Sequence, residues 1–347
     1  MTDPTLRVRD LDESELLARI FPLLPSGEGV DVGPGDDAAV VRAPDGRFVV
    51  TTDVLVEDRH FRRRWSGGYD VGARAAVQNL ADVAAMGARP TSLVVSLVAP
   101  GDLEVEWVTS FARGLAGSAG PAAVVGGDLS SGETVMVSVT VHGDLEGREP
   151  VLRSGARPGD VVAYAGSLGT SAAGLALLDA GVAQGSDGAP GAAGALAPFV
   201  SAYLRPGSPL AAGPAAARAG ATAMLDVSDG LLRDAGRVAR ASGVVLDLAV
   251  GALRADVTAL MPAAVELAVA DASPTGLDGA ALTEAWVLAG GEDHGLLATF
   301  PAQVAARGLP APFRPVGDVV ACEGREPGVL VDGVARTADV GWDHFRR

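Results

Sequence analysis

Hydrophobic residues recur along this chain with two periods, and the switches between them mark its elements. Between Leu11 and Leu24, the residues Leu16, Leu17, Ile20 and Leu24 fall at helical spacing, and Pro25-Ser26-Gly27 ends the run. Phe48 to Val56 is β-branched and reads as a strand. Asp70 is placed to cap a helix running to Met86, with Gly87 as its stop. Leu93 to Val98 predicts another strand, and Leu103 to Leu115 a helix. Val135, Val137, Val139 and Val141 alternate strictly, which is the pattern of a half-buried strand.

The segment EGREPVLRSGARPGD then interrupts the pattern with proline, glycine and charge, and places a domain boundary near residue 149, separating 1–148 from 149–347. Beyond it, DVVAYAG predicts a strand and Thr170 to Asp179 a helix. Gln184 to Pro198 is rich in Gly, Ala and Pro and reads as a mobile surface loop. Ala221 to Val227 predicts a strand feeding Ser-Asp-Gly and a helix, in which Leu231, Leu232, Ala235, Val238 and Ala239 recur at helical spacing. HGLLATF, RPVGDVV and the VLVDGVA hairpin add further strands. Strands and helices mix in both halves, without a clean internal repeat or a long βαβ array.

A length of 347 residues allows two proper cores, and 48% hydrophobic with 20% charged residues marks a soluble globular chain. The net charge of −16 repels nucleic acid and anionic membrane surfaces, although a local metal cluster can reverse the sign of one site. The chain contains no lysine, and all 27 basic residues are arginine, so a lysine-bearing P-loop is excluded. Any handling of ATP falls to metal ions, arginine and backbone amides. Cys322 is the sole cysteine, so no intrachain disulfide forms and a reducing cytoplasm is expected. The first twenty residues lack a signal-peptide core, and the densest apolar window, SLVVSLVAP, is too short for a membrane span.

The candidate chemistry lies in aspartates at the ends of apolar runs. These are Asp36 and Asp37 in GPGDDAAVV, Asp53 in FVVTTDVLV, Asp82 in VQNLADVAAMGA, Asp128 in VVGGDLSSG, and Asp226 with Asp229 in AMLDVSDGLL. Such oxygen donors suit Mg²⁺, which is commonly shared with substrate phosphates. Each also has a plain reading. GPGDD and GGDLSSG can be glycine turns, and Asp53 can face water from an edge strand. Arg74, Gln78 and Asp82, with Asn79 beside them, can be a solvated helix face or the lining of a site. Asp229 and Ser228 can cap a helix, which leaves Asp226 as an additional carboxylate. GGEDHG reads as a loop, and GSLGTSAAG as a weak phosphate-loop candidate. His60, His142, His294 and His344 show no zinc spacing, and no nucleophile elbow is present.

Taken in order, GPGDDAAV, TTDVLVEDRHF, AVQNLADVAAMGA, GGDLSSG, RSGARPGD, DVSDG, LAGGEDHG and GWDHF resemble the thiamine-monophosphate kinase family, within the aminoimidazole-ribonucleotide-synthetase-like superfamily. The resemblance runs from Asp36 to Phe345. It implies an α+β, two-domain fold, in which N-terminal sheets join in a homodimer barrel and a C-terminal α+β domain adds phosphate, metal and substrate contacts. It also implies ATP-dependent phosphorylation of thiamine monophosphate to thiamine diphosphate. Carried over by motif, Asp37, Thr51, Thr52, Asp53, Asp82, Asp128, Asp226 and Asp229 would hold Mg²⁺ directly or through water. Gly127, Asp128, Arg153 and Ser228 would contact ATP, while His60, Glu292 and Trp342 would line the thiamine-monophosphate pocket. The acceptor is a phosphate monoester, largely ionised at neutral pH, so no general base or covalent nucleophile is expected.

Four positions depart from the family pattern: Ala81 replaces a serine, Leu129 a threonine, and His294-Gly295 an aromatic followed by an acid. Two alternatives stay open, an aminoimidazole-ribonucleotide-synthetase-like enzyme on the same scaffold and a non-catalytic nucleotide-binding scaffold. A selenophosphate synthetase would need a reactive cysteine or selenocysteine near the N-terminus, where this chain has neither.

Overall fold

Residues 5–34, 38–183, 194–273 and 276–336 are described by the computed structural model. The chain divides into one unit of residues 1–83 and 88–147 and a second of residues 84–87 and 148–347.

The first unit contains α1 (Glu13–Ile20), β1 (Val30–Val32), β2 (Val40–Val41), β3 (Val49–Val56), α2 (Gly68–Ala85, its last turn belonging to the second unit), β4 (Arg89–Ala99), α3 (Val105–Ser118), β5 (Ala123–Ser131) and β6 (Met136–Asp144). Strands β3, β6, β4 and β5 form a sheet in that order; β4 and β5 are parallel and the other pairs antiparallel. The valine alternation settles which face of this sheet is buried. Val137 is buried in register with Leu55 and Leu97 and Val141 with Leu93, while buried Val139 between them pairs with Asp53 and Val95. On the opposite face Val50, Val54 and Met136 stay 53%, 43% and 37% exposed.

Helix α2 is held against α3 at backbone distance. A Cβ added at Gly68 or Gly72 would intrude on the carbonyl oxygens of Trp107 or Phe111, and one at Gly114 on that of Tyr69. Asp70 lies in the first turn of α2 and does not occupy the cap position. Its carboxylate reaches back to accept from the Gly67 N–H at 2.9 Å, as the third residue of a capping box does. The expected glycine turn at GGDLSSG is in fact the second half of β5. Gly127 pairs with Val95, where a Cβ would overlap the Val95 carbonyl, so glycine permits close strand approach there.

The second unit contains β7 (Asp160–Ala165), α4 (Thr170–Asp179), α5 (Ala197–Leu204), α6 (Ala212–Ala219), β8 (Ala223–Val227), α7 (Leu231–Ser242), β9 (Val245–Leu248), α8 (Val250–Val269), α9 (Gly279–Ala289), β10 (Gly295–Pro301), α10 (Ala302–Arg307), β11 (Arg314–Val320), β12 (Gly328–Val331) and β13 (Val334–Arg336). The sheet order is β13-β12-β9-β11-β7-β10-β8, and only the β12–β9 pair is parallel. The central strands β7 and β10 are apolar and buried nearly throughout, as strands covered on both faces must be. Of the segment expected to be a loop, 184–193 lies outside the described residues, whereas 194–198 already forms a 3-10 turn and the start of α5. Burial of Phe199, Val200, Tyr203 and Leu204 draws this segment into helix. Among the described residues, no helix is long and apolar enough to cross a membrane.

Candidate active site

In the first unit, the odd-numbered residues of β3 turn towards α2. The Asp53 N–H donates to Asn79 Oδ1 at 2.9 Å, and Asn79 Nδ2 donates to the Ala75 carbonyl at 2.9 Å, which fixes the amide. Gln78 Nε2 donates to Asp53 Oδ2 at 3.3 Å, and the Thr51 hydroxyl donates to Asp82 Oδ2 at 3.0 Å. Asn79 and Arg74 are buried, and Asp53, Gln78 and Asp82 are half-buried. The polar stripe of α2 is therefore an interior lining and not a solvated face. β3 is an edge strand, yet Asp53 points at the helix beside it.

Thr52 lies on the other face of β3, where it donates to the Val139 carbonyl at 3.0 Å and accepts from Thr140 at 3.1 Å. Asp128 is exposed and accepts from the Ser130 hydroxyl at 2.9 Å. The His60 ring folds back on its own turn: Nδ1 accepts the Val56 N–H at 3.0 Å, and Arg74 donates to the His60 carbonyl at 3.3 Å. A cavity of about 1160 Å³ opens in this unit, walled by Leu17, Phe21, Phe111, Val95, Gly127 and Asp128. Pro34 and Ala38 also line it, on either side of Asp36 and Asp37, which lie outside the described residues.

In the second unit, two motifs meet at the end of β8. The Glu292 N–H donates to the Ser228 carbonyl at 2.7 Å, and the His294 N–H to the Val227 carbonyl at 3.0 Å. Both residues take left-handed backbone conformations, with φ of 69° and 50°, which non-glycine residues adopt only when their surroundings enforce it. Asp226 is buried, and its Oδ2 lies 3.5 Å from His294 Nδ1. Asp229 is gripped by arginine, with Arg237 Nη2 at 2.5 Å and Arg233 Nε at 3.8 Å. Arg153 is exposed, and its carbonyl accepts from Ser242 Oγ at 2.9 Å. Trp342 lies outside the described residues.

Two buried carboxylates build this corner and were not singled out from the sequence. Asp234 on α7 is fully buried, accepts the Asp229 N–H at 2.9 Å and pairs with Arg237. Asp293 accepts from Gly169 N at 2.5 Å and Ser171 N at 3.0 Å, so it closes the N-terminus of α4. The phosphate-loop candidate GSLGTSAAG is thus filled by a carboxylate of the chain itself. Burial pushes both groups up, each to about 7. Nearby arginine opposes that shift at Asp234, and the backbone N–H groups oppose it at Asp293. A sequence signal existed for Asp234, whose spacing of three to Arg237 is an ion-pair spacing on a helix. Asp293 had none, because its partners lie more than a hundred residues away.

Gly295 also has a local cause. A Cβ there would collide with the Tyr164 hydroxyl, which donates to the Ser167 carbonyl at 2.8 Å. The described residues contain no group of three or more His, Cys, Asp or Glu side chains arranged to hold a metal ion.

Comparison with known proteins places this geometry. Residues 35–145 match the family described as AIR synthase related protein, N-terminal domain, and residues 157–310 match its C-terminal domain. Thiamine-monophosphate kinase of Mycobacterium tuberculosis is 44% identical over 99% of this chain and 93% of its own length. The crystal structure of thiamine-monophosphate kinase from Stenotrophomonas maltophilia K279a superposes with a TM-score of 0.73 at 29% identity, covering 93% of this chain and 96% of that one. AaThiL complexed with AMPPCP and TMP gives a TM-score of 0.72 at 31% identity, covering 99% and 100%. A 44% match along almost the whole length, with matching domains in both halves, leaves one assignment: the chain belongs to the thiamine-monophosphate kinase family.

Proposed function

We propose that this chain transfers the γ-phosphoryl group of ATP to thiamine monophosphate, forming thiamine diphosphate and ADP. The observation that carries this reading is the full-length match to AaThiL, which was solved with AMPPCP and TMP together. The chemistry supports it. Two anionic reactants must approach, and unit charges about 4 Å apart repel by about 4 kcal/mol at an effective dielectric of 20. Mg²⁺ supplies the screening and alignment for an in-line displacement when bound. The donor set fits such a hard cation, because Thr51, Thr52, Asp53, Asp82, Asp128, Asp226 and Asp229 offer only oxygen. With Asp37 they would hold the ions, directly or through water.

The remaining roles belong to the chain itself. Asn79 and Gln78 fix the backbone and carboxylate of Asp53, and Thr51 orients Asp82. Gly127 would contact ATP through its backbone beside Asp128, its missing side chain being required by the close approach of β4. The first-unit cavity, largely apolar with Asp128 on its wall, is of a size to take the nucleoside. Arg153 and Ser228 would add phosphate contacts, and His60, Glu292 and Trp342 would contact thiamine monophosphate. No group is needed to remove a proton from an acceptor already ionised. The exposed face bearing Val50, Val54 and Met136 suits an isologous homodimer, and a single cysteine suits the cytoplasm.

The test is incubation with ATP, Mg²⁺ and thiamine monophosphate, with free thiamine as control. Thiamine diphosphate is expected from the monophosphate alone. ATP binding without product would favour a non-catalytic scaffold, and turnover of a different acceptor would favour another enzyme of the superfamily.

A further inference from the structure

The GGEDHG turn carries a half-buried carboxylate, Glu292, followed by two sealed residues, Asp293 and His294. Glu292 and His294 are both left-handed, with φ of 69° and 50°, so their conformation is imposed from outside the turn. The residue between them supplies one anchor. Asp293 accepts from Gly169 N at 2.5 Å and Ser171 N at 3.0 Å, at the first turn of α4. We propose that Asp293 is a positioning residue for the acceptor: by docking on α4 it fixes the backbone that aims Glu292 at thiamine monophosphate. This rests on the kinase reading, which gives Glu292 its ligand.

Three observations support that role. The first is that α4 does not cap itself. A serine or aspartate at its own cap position would serve, yet that position is Gly169, which makes no side-chain cap bond. The acceptor for the free N–H groups comes instead from the residue next to Glu292, which ties the helix to the turn. Secondly, the turn is held from its other side as well. The Glu292 N–H donates to the Ser228 carbonyl at 2.7 Å and the His294 N–H to the Val227 carbonyl at 3.0 Å. Thirdly, the turn has no slack. A Cβ at Gly290 would lie 2.8 Å from Ala172 Cβ on α4, and one at Gly291 2.7 Å from the Ser228 carbonyl oxygen. Such rigidity matters for a group that touches substrate, because a misplacement of about 1 Å can cost about a hundredfold.

The test measures thiamine-monophosphate affinity by calorimetry for the full chain, Asp293→Asn, Glu292→Ala and the double variant. Asparagine keeps the size of Asp293 but offers one acceptor oxygen to two donors. Each single change should weaken binding about tenfold and the double variant no further, since Asp293 acts through Glu292. Affinity for a non-hydrolysable ATP analogue should stay within about twofold in Asp293→Asn, because the Asp229 N–H is held from α7 by Asp234. Additive losses, or an equal loss of nucleotide affinity, would overturn the proposal and leave Asp293 a structural cap. The unsubstituted chain gives a second measurement that needs no variant to fold. Thiamine monophosphate should slow amide exchange at Gly169 and Ser171, since the coupling is reciprocal, and unchanged exchange there would also overturn the proposal. The kinase reading fails separately. Coupled binding without thiamine diphosphate would sink the activity and keep the positioning role, and product with additive losses would do the reverse.

Discussion

Asp293 allows a quantitative test of how a buried carboxylate is held. It is 3% exposed and accepts two N–H groups at the start of α4. In Asp293→Ala both donors lose their acceptor in a buried place, which costs about 1–3 kcal/mol each. The same burial raises the carboxyl from 3.8 to about 7. A folded-state pKa above the unfolded one means that the native form holds the extra proton, so the stability this group provides is complete below about pH 4 and is lost as pH rises through about 7. Integrated from about pH 5.5 to 8.5, the loss is about 2 kcal/mol. Asp293→Ala should therefore cost about 2–6 kcal/mol at about pH 5.5 and about 2 kcal/mol less at pH 8.5. Urea denaturation of both proteins across this range measures the gap, and Asp234, present in both, cancels. A gap that stays constant or widens with pH would refute the view that Asp293 is neutral on the acid side.

Other expectations concern the first unit and the reaction. Asp53→Asn and Asp82→Asn should each abolish thiamine diphosphate formation while leaving the circular dichroism spectrum unchanged, and full activity in either would remove that residue from the metal set. Gly72→Ala drives a methyl group into the Phe111 carbonyl and should lower stability by about 1–3 kcal/mol, read as a lower melting temperature. Val54→Glu places a charge on the exposed sheet face and should yield monomers by analytical ultracentrifugation; a dimer unaffected by it would move the interface elsewhere.

Local pattern carried much of the fold. The alternating valines are β6, with Val137, Val139 and Val141 buried, and Thr170–Asp179 and Arg314–Val320 match their expected helix and strand to the residue. Helix α8, with Pro262 inside it, was not marked, because its buried residues Leu253, Leu260, Ala263, Ala264 and Leu267 sit among alanines and valines that blur the stripe. GGDLSSG misled in the opposite way. Glycine commonly signals a turn, but here it admits the neighbouring backbone of β4. The polar stripe of α2 could be seen in the sequence, whereas its direction could not: whether Gln78 and Asp82 meet water or β3 depends on partners 25 and 31 residues away. Asp293 was hidden for the same reason. Its environment is made by distant chain, and a carboxylate in a loop motif looks the same whether it is solvated or sealed.

The crowding between Gly295 and the phenol of Tyr164 couples two positions on adjacent strands. An acid restored at 295 requires the ring at 164 to give way and the Ala165 carbonyl, 2.7 Å from such a Cβ, to shift as well. Relatives that carry a side chain at this position should therefore differ both in the residue across the strand pair and in the local spacing of the two strands.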